Sequence, residues 1–338
     1  MNFDPFNELG GGSALRFDEG QFFSSIQDDY CLPVASHSPE TERLDYIHDV
    51  YKYHAGNIPD EVATMLSDGK SRRILDVGCG TGKWRVMLFF MTIKALEMIE
   101  AFPNIHITGV DLAHPPITVC PPNFLFEIHD VTKGQEYEDD TFDVVHVRDI
   151  HAGMPDYHDM LTECVRVLRP GGYLLVKEIE WVPDVLDGGD AEERFPAICA
   201  GSFRDALSER FLDPLVGVNL ESYIDNVSGL CDVHYTRHMV PMTPWSDDPI
   251  LNYTGQMTRL AMAILGGTIR VMLMDHGESD PDGRYAAGIE ELKDLSGQPI
   301  WYFGSVVARK EGDVSDPDMQ VGMGQEEGGT GGWVGDED

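Results

Sequence analysis

The chain has 338 residues, with 59 acidic residues against 24 Lys and Arg, and a formal net charge of −35 at pH 7. A surface this acidic repels nucleic-acid phosphates and anionic lipid, so we expect neither nucleic acid nor membrane as a partner. The 42% hydrophobic content is typical of a folded chain, and no apolar stretch reaches the roughly 20 residues that a membrane span needs.

The cysteines and the first residues indicate the compartment. The six cysteines are scattered and none form a C-x-x-C pair, which argues against structural zinc and against a disulfide framework. The first residues lack the basic and apolar regions of a secretory signal. We therefore expect a cytoplasmic protein.

Hydrophobic periodicity predicts an alternation of strands and helices in the first half of the chain. Residues 1 to about 36 are rich in Gly, Ser and Asp and predict a mostly irregular leader. Helices are predicted at 40–54, 59–66, 83–101 and 157–168, strands at 73–77, 105–110, 124–128, 142–147 and 173–179, and a turn at 169–172. This order predicts an α/β fold, with a parallel sheet covered by helices on both faces.

The second half is mostly helical after Trp181. Helices are predicted at 191–211, 220–230, 249–273 and 284–295, and strands at 233–240 and 300–308. From Glu311 onward the chain is rich in Gly and acidic residues and has no Lys or Arg, which predicts a disordered acidic tail.

A glycine-rich turn follows the first strand of the alternating region, with the sequence ILDVGCGTG at 74–82. Its third glycine comes one position too early for a dinucleotide fingerprint, and Lys83 is followed by Trp84, not by the Ser or Thr of a P-loop. Asp76, two residues before the first glycine, would oppose a pyrophosphate. It suits a ligand that carries a cationic amino group and a sulfonium.

Carboxylates follow the next two strands. Asp111, in GVDL at 109–112, can accept hydrogen bonds from both ribose hydroxyls. Asp130, in HDV at 129–131, can accept one from an adenine amine, or can instead cap a helix. Two further motifs follow, DTFDVVHVR at 140–148 and LRPGGY at 168–173, in which Asp143 is expected to be a solvated strand residue.

These five elements, in this order, resemble the motif series of class I S-adenosylmethionine methyltransferases. The resemblance implies a Rossmann-like sheet and S-adenosyl-L-methionine as the cofactor. It implies no metal, since methyl transfer is an in-line displacement and no histidine pair of the H-x-x-x-H type lies on one predicted helix. The cofactor-binding residues that it implies are Asp76, Gly78, Gly80, Asp111, Leu112, Asp130, Val131 and Arg148.

Flanking segments are similar to those of the LaeA-like fungal methyltransferases. They are YCLP at 30–33, RLDYIH at 43–48, GTGKW at 80–84, PMTPW at 241–245 and PIWYFGSVV at 299–307. The first helix departs from the family pattern, because it carries an extra apolar piece near Arg85 to Lys94. This piece is either a longer core helix or a partner surface.

Candidate catalytic residues follow the strands whose carboxyl ends face the cofactor. His151 is a candidate general base, or alternatively lines the pocket or caps a helix. Glu178, like Glu180, could orient an acceptor amine or hydroxyl, or could instead be a solvated residue at the end of the strand. Asp45 and His48 lie one turn apart on the entry helix and either face the pocket or form a surface pair. Trp181, Trp245 and Met257 are candidates for lining an acceptor pocket, although core packing is the favoured expectation for Met257.

Composition and the resemblance together predict three regions: a leader at 1–36, a class I methyltransferase domain at 37–310 and the tail at 311–338. An insertion at about 182–298, with the entry helix, is expected either to form a lid over the methyl group or only to cover the sheet. We expect a small-molecule methyltransferase of fungal secondary metabolism. The alternatives are a LaeA-like regulator that acts through protein partners in the nucleus, and a methyltransferase fold with non-methylating chemistry.

Overall fold

The structure is a computed structural model, and it describes residues 15–18, 21–24, 32, 39–80, 98–99, 101–112, 121–195, 202–275 and 279–312. Its strands are β1 (Leu15–Asp18), β2 (Gln21–Ser24), β3 (Arg72–Val77), β4 (Ile105–Asp111), β5 (Phe124–Ile128), β6 (Phe142–Arg148), β7 (Leu168–Val185), β8 (Leu230–Pro241) and β9 (Pro299–Lys310). Its helices are α1 (Glu40–Ala55), α2 (Asp60–Leu66), α3 (Tyr157–Val167), α4 (Ala191–Arg194), α5 (Ser202–Glu209), α6 (Leu220–Asp225), α7 (Pro249–Asp275) and α8 (Pro281–Glu291).

Seven strands form one sheet in the order β5-β4-β3-β6-β7-β9-β8. The first five are parallel, whereas β9 lies antiparallel between β7 and β8. The expected α/β Rossmann-like fold is confirmed, with the correction that the sheet is mixed. Because β3 lies in the middle, with β4 on one side and β6 on the other, the strand order reverses at β3, and this is where such sheets bind ligands.

Helices cover both faces of the sheet. On one face α3 and α6 pack against the strands through side chains such as Leu161 and Leu220, which are fully buried. On the other face α2 packs through Val62, beside Ile74 of β3 and Val144 of β6. The central strands are therefore buried on both sides, which explains their nearly continuous apolar sequences.

Asp143 does not lie in solvent, as the sequence suggested. Its side chain is only 3% exposed, and it accepts hydrogen bonds from Arg72 and Arg169 and from the backbone amide of Arg73. A buried carboxylate is tolerated when cations and donors surround it. Asp143 thus joins the start of β3 to the start of β7.

The predicted turn at 169–172 lies inside a longer strand. Leu168 pairs with Phe142 and Tyr173 pairs with Val144, so the intervening residues bulge out of β7. Gly171 has a φ of 75°, and a Cβ on Gly172 would fall 2.8 Å from the carbonyl oxygen of Asp143. The two glycines allow the strand to continue through the bulge.

The insertion after β7 folds back over the carboxyl ends of the strands. Its longest helix, α7, packs against α1, where the Tyr253 hydroxyl donates to Asp49 at 3.0 Å. His54 Nε2 and Thr254 Oγ1, which are 3.1 Å apart, join the same two helices. The entry helix and α7 are thus tied together over one edge of the sheet.

Other predicted elements differ in detail. The leader contains a short antiparallel hairpin, in which β1 pairs with β2. The helix predicted at 191–211 is divided into α4 and α5. Most of the helix predicted at 83–101, including the extra piece near Arg85 to Lys94, and the tail after 312 lie outside the described residues. Among those that are described, no helix is both long and apolar enough to cross a bilayer.

Candidate functional site

The glycine turn lies at the carboxyl end of β3. Gly78 and Gly80 have φ angles of 65° and 61°, in the left-handed region that favours glycine. A Cβ on Gly78 would fall 2.3 Å from Cγ2 of Ile150, so this turn and the residues after β6 are in close contact. The backbone amide of Gly80 donates to the Asp111 carboxylate at 2.6 Å.

The carboxylates predicted to contact the cofactor lie along the same edge. Asp111, followed by Leu112, ends β4, and its carbonyl accepts from the amide of His129, just after β5. Asp130 caps the short turn that begins at Val131, as the alternative interpretation of this residue expected. The topology therefore brings the ends of β3, β4 and β5 together.

Asp130 is held in its charged form. Its carboxylate accepts from the Thr132 hydroxyl at 2.6 Å and pairs with the Lys133 ammonium at 3.0 Å. Although burial opposes the effect, these contacts lower the pKa of Asp130. An ionised carboxylate accepts hydrogen bonds only, which is what an exocyclic adenine amine requires. The role of Asp130 toward adenine stays a prediction.

Asp76 is paired with a histidine. His146, its neighbour on β6, donates from Nδ1 to the Asp76 carboxylate at 2.7 Å, and both side chains are buried. Burial lowers the pKa of His146, although Asp76 opposes that shift. We infer a neutral imidazole, so His146 adds no positive charge beside the predicted site of a cationic ligand.

The entry helix is joined to the end of β6 by two side-chain contacts. Arg148 donates from Nη1 to Nδ1 of His48 at 2.7 Å, and the Tyr51 hydroxyl donates to Oδ1 of Asp149 at 2.5 Å. His48 is buried, so it does not belong to a surface pair with Asp45. These contacts hold α1 over the site.

Glu178, on β7, is completely buried and holds the segment after β6 in place. Its carboxylate accepts from the amide of Ile150 at 3.1 Å, from Nδ1 of His151 at 2.5 Å and from the Tyr157 hydroxyl at 3.0 Å. Three donors satisfy a buried carboxylate well. A role for Glu178 in orienting the acceptor stays a prediction, and these contacts favour an indirect one.

Both ring nitrogens of His151 are engaged. Nδ1 donates to Glu178, and Nε2 lies 2.5 Å from Nε1 of Trp181, which can only donate. Nε2 is therefore unprotonated in this arrangement. Burial lowers the pKa of His151, but the nearby carboxylates, Glu178 foremost, raise it by more, so the pKa lies above its ordinary value. The role of general base stays a prediction for His151, and its contacts favour a positioning role.

A crevice opens beside His151, between the entry helix, α7 and the end of β7. It contains about 390 Å³ of empty space, part of it open to solvent. Its walls are mostly apolar, with Ile47 from α1, Leu265 from α7 and the indole rings of Trp181 and Trp301. Its polar side chains are Arg43, Asp149 and His151.

One polar atom of the crevice wall is unsatisfied. The indole N–H of Trp301 is buried and has no hydrogen-bond partner among the described residues. A buried donor without a partner costs about 1–3 kcal/mol, so it is a natural point of contact for a ligand oxygen.

Three other predicted side chains lie elsewhere. Glu180 forms a two-point ion pair with Arg237 at 2.7 Å, away from the crevice lining. The Trp245 indole donates to the carbonyl of Pro299 at 3.0 Å, and Met257 packs against the apolar cluster between α1 and β9. Sequence reasoning missed Tyr51 and Asp149, whose contact joins positions far apart in the chain.

Comparison with known proteins gives a consistent family. A protein-family model described as a methyltransferase domain matches residues 68–210. The methyltransferase str2 of Strobilurus tenacellus is 28% identical over 225 residues, which cover 66% of this chain and 75% of str2. The secondary metabolism regulator laeA of Coprinopsis cinerea is 29% identical over 247 residues, which cover 70% of this chain and 58% of laeA.

The chain is similar to LaeA-like fungal methyltransferases, and its residues 68–210 match a methyltransferase domain. The matched domain begins just before β3 and includes the glycine turn, Asp111 and the Glu178 network, so the match and the site refer to the same residues. The phosphoethanolamine N-methyltransferase 2 of Haemonchus contortus superposes with a TM-score of 0.44 at 18% identity, over 86% of this chain and 61% of that one. That likeness is too distant to bear on function.

Proposed function

We propose that this LaeA-like protein transfers a methyl group from S-adenosylmethionine to a small molecule. One observation carries the proposal. Ile150 packs against Gly78 of the glycine turn, while its two neighbours, Asp149 and His151, line the crevice. The cofactor turn and the crevice are therefore separated by the width of one residue. This is the spacing that an in-line transfer from cofactor to acceptor needs.

The residues at the sheet edge fit S-adenosylmethionine chemically. Asp111 offers carboxylate oxygens for ribose hydroxyls, and Gly78 and Gly80 present a turn with no side chains to obstruct a ligand. Asp76 and Asp130 supply negative charge and hydrogen-bond acceptors, which suit a cationic amino group and an adenine amine. When bound, S-adenosylmethionine supplies an electrophilic methyl group.

The crevice favours a small and largely apolar acceptor. Small-molecule sites are concave, mostly apolar and oriented by a few polar groups, and this crevice has those properties. Two indole rings suit a flat or aromatic molecule, and the N–H of Trp301 suits one with an oxygen acceptor. The walls contributed by α1 and α7 leave little room for a folded protein surface or for a duplex.

The experiment has two parts. Calorimetry should detect S-adenosylhomocysteine binding to the purified protein. Methyl-labelled S-adenosylmethionine, incubated with a panel of phenols and aromatic acids, should then give label in organic-extractable products. Absence of binding at millimolar S-adenosylhomocysteine would refute the proposal. Binding without transfer to any panel member would argue against these acceptor classes and leave cofactor binding in place.

A second function, regulation through protein partners, is favoured by the names of several relatives. Besides laeA of Coprinopsis cinerea, a protein of Cochliobolus heterostrophus called secondary metabolism regulator LAE1 is 25% identical to this chain. Both functions would use the same cofactor turn. A stable complex with another protein, retained when Trp181 and Trp301 are both replaced by Ala, would favour regulation. Loss of transfer in that variant, with cofactor affinity unchanged, would favour the enzyme.

A further inference from the structure

Asp149 has an unusual backbone conformation. Its φ angle is 52°, in the left-handed region that side chains other than glycine rarely adopt. It directly follows β6, and its amide donates to the carbonyl of Lys177 on β7 at 3.0 Å. Residues held in such conformations concentrate at active sites and other functional sites. The conformation turns this residue out of the strand at the point where the crevice begins.

The Asp149 carboxylate is fixed on one side and open on the other. Oδ1 accepts from the Tyr51 hydroxyl at 2.5 Å, and Tyr51 is itself buried against Phe303. Within the described part of the chain, no other donor is bonded to this carboxylate. Asp149 is half-buried and lines the crevice, so its second oxygen is the one available to a ligand.

The neighbouring acid–base groups are already engaged. Nε2 of His151 accepts from Trp181, and the oxygens of Glu178 accept from three donors. Either residue would have to break these contacts before it could take a proton from a ligand. Asp149 could take a proton on its second oxygen and keep its hydrogen bond from Tyr51.

We propose that Asp149 is the proton acceptor for the methyl acceptor and that this acceptor reacts through a hydroxyl group, alcoholic or phenolic, on an apolar scaffold. The inference rests on the proposed function, since it assigns a step of the same transfer. His151, Glu178 and Tyr51 then act as positioning residues that hold the carboxylate and the segment around it.

The chemical step balances without a further reactant. The hydroxyl oxygen forms a bond to the methyl carbon as the bond from that carbon to sulfur breaks, and the electron pair of the broken bond stays on sulfur. The hydroxyl proton passes to Asp149. The products are the methyl ether, S-adenosylhomocysteine and a protonated carboxyl, which loses its proton to solvent.

The surroundings of Asp149 suit a base that works near neutral pH. Burial, followed by the Glu178 carboxylate, raises the pKa of Asp149 to about 6, although the Tyr51 hydroxyl, Arg148 and Arg43 oppose the shift. Lys177, from β7, also faces Asp149. A base whose pKa lies near the working pH combines a deprotonated ground state with useful proton affinity. The rate should therefore fall as the pH drops below about 6.

The first test varies the acidity of the acceptor. Asp149→Asn keeps the size of the side chain and removes the base, so transfer to phenols of pKa near ~10 should fall ~100-fold or more. Transfer to p-nitrophenol, which is largely ionised at pH 8, should fall only a few-fold. S-adenosylhomocysteine affinity should stay within a few-fold of the wild type. An equal loss with every phenol would mean that Asp149 only positions the acceptor, and would overturn the proposal, as would no loss.

Asp140→Asn is the matched control. Asp140 shares the left-handed backbone, with a φ of 57°, and its carboxylate accepts from the Lys310 ammonium at 2.7 Å, but it precedes β6, at the opposite end of that strand from the crevice. This variant should keep wild-type transfer rates for every phenol. If wild-type protein binds S-adenosylhomocysteine yet transfers to no phenol, the hydroxyl assignment is overturned. If it binds no S-adenosylhomocysteine, the proposed function itself fails.

The second test does not depend on turnover. Infrared difference spectra of the S-adenosylhomocysteine complex, wild type minus Asp149→Asn, should show a protonated-carboxyl band at low pH. The band should disappear as the pH rises, with a midpoint near pH 6. A midpoint near the ordinary aspartate pKa of ~4, or no band that depends on Asp149, would overturn the proposal.

Discussion

The site has two edges that are built differently: a cofactor edge, formed by the glycine turn and the carboxylates at the ends of β4 and β5, and an acceptor edge, formed by the crevice beside His151. On the cofactor side the contacts come from backbone and from single carboxylates at strand ends, as in the amide of Gly80 that donates to Asp111. On the acceptor side a network of buried side chains from α1, β7 and the segment after β6 holds the crevice wall. The difference means that cofactor affinity and turnover should be separable by substitution, because few residues contribute to both.

The largest effect is expected at the cofactor edge. Gly80→Val puts a branched side chain at a φ of 61°, and its Cβ would lie 3.4 Å from Cδ1 of Leu44, on the entry helix. The strain and the lost space should reduce S-adenosylhomocysteine binding below calorimetric detection while circular dichroism stays unchanged. Near-native affinity would show that the cofactor does not approach this turn.

Substitutions at the two edges should affect cofactor binding and turnover separately. Asp111→Ala should weaken S-adenosylhomocysteine binding by ~10-fold or more, since it removes hydrogen bonds to a charged acceptor. His151→Ala and Glu178→Gln should instead lower turnover and keep that affinity within a few-fold. Calorimetry and a methyl-transfer assay on the same preparations test both halves. If His151→Ala and Glu178→Gln left turnover unchanged, the acceptor would not bind in this crevice.

The same difference explains what the sequence could predict. The cofactor edge is encoded by contiguous motifs, so the amino-acid sequence alone places the glycine turn and the carboxylates after β4 and β5 at one edge of the sheet. The acceptor edge depends on pairs such as Tyr51 with Asp149 and Trp181 with His151, which are distant in the chain. Hydrophobic periodicity does not reveal such contacts. Aspartate is enriched among non-glycine residues with a left-handed backbone, but the sequence does not show which aspartate adopts it.

Asp143 illustrates a second limit. A carboxylate near the start of a strand resembles a solvated residue in sequence, and only the arrival of Arg72 from β3 and Arg169 from β7 permits its burial. The sequence pattern did predict the main elements of the insertion. It could not show that Tyr253 and Thr254 of α7 would meet Asp49 and His54 of α1.

A smaller effect is expected where α7 meets the segment before it. A Cβ on Gly255 would fall 2.4 Å from the backbone carbonyl oxygen of Thr243, so Gly255→Ala must move α7 away from its support. We expect a loss of about 1–3 kcal/mol in the free energy of unfolding. Turnover should fall more than cofactor affinity, because α7 belongs to the acceptor side. Gly267→Ala is the matched control on the same helix, as its Cβ would meet nothing within 4 Å.

The smallest effect is expected from the acidic tail, which should matter to neither edge. The described structure ends just after β9, where the amide of Glu311 donates to the carbonyl of Gly229 at 2.9 Å. Residues beyond this point are rich in Gly, Asp and Glu and have no Lys or Arg, so the sequence predicts that they add little apolar surface to the domain. Truncation after Gly312 should therefore leave the melting temperature, the S-adenosylhomocysteine affinity and the turnover unchanged. Thermal unfolding and calorimetry of the truncated protein test this, and a lower value in either would mean that the tail contributes contacts to the domain.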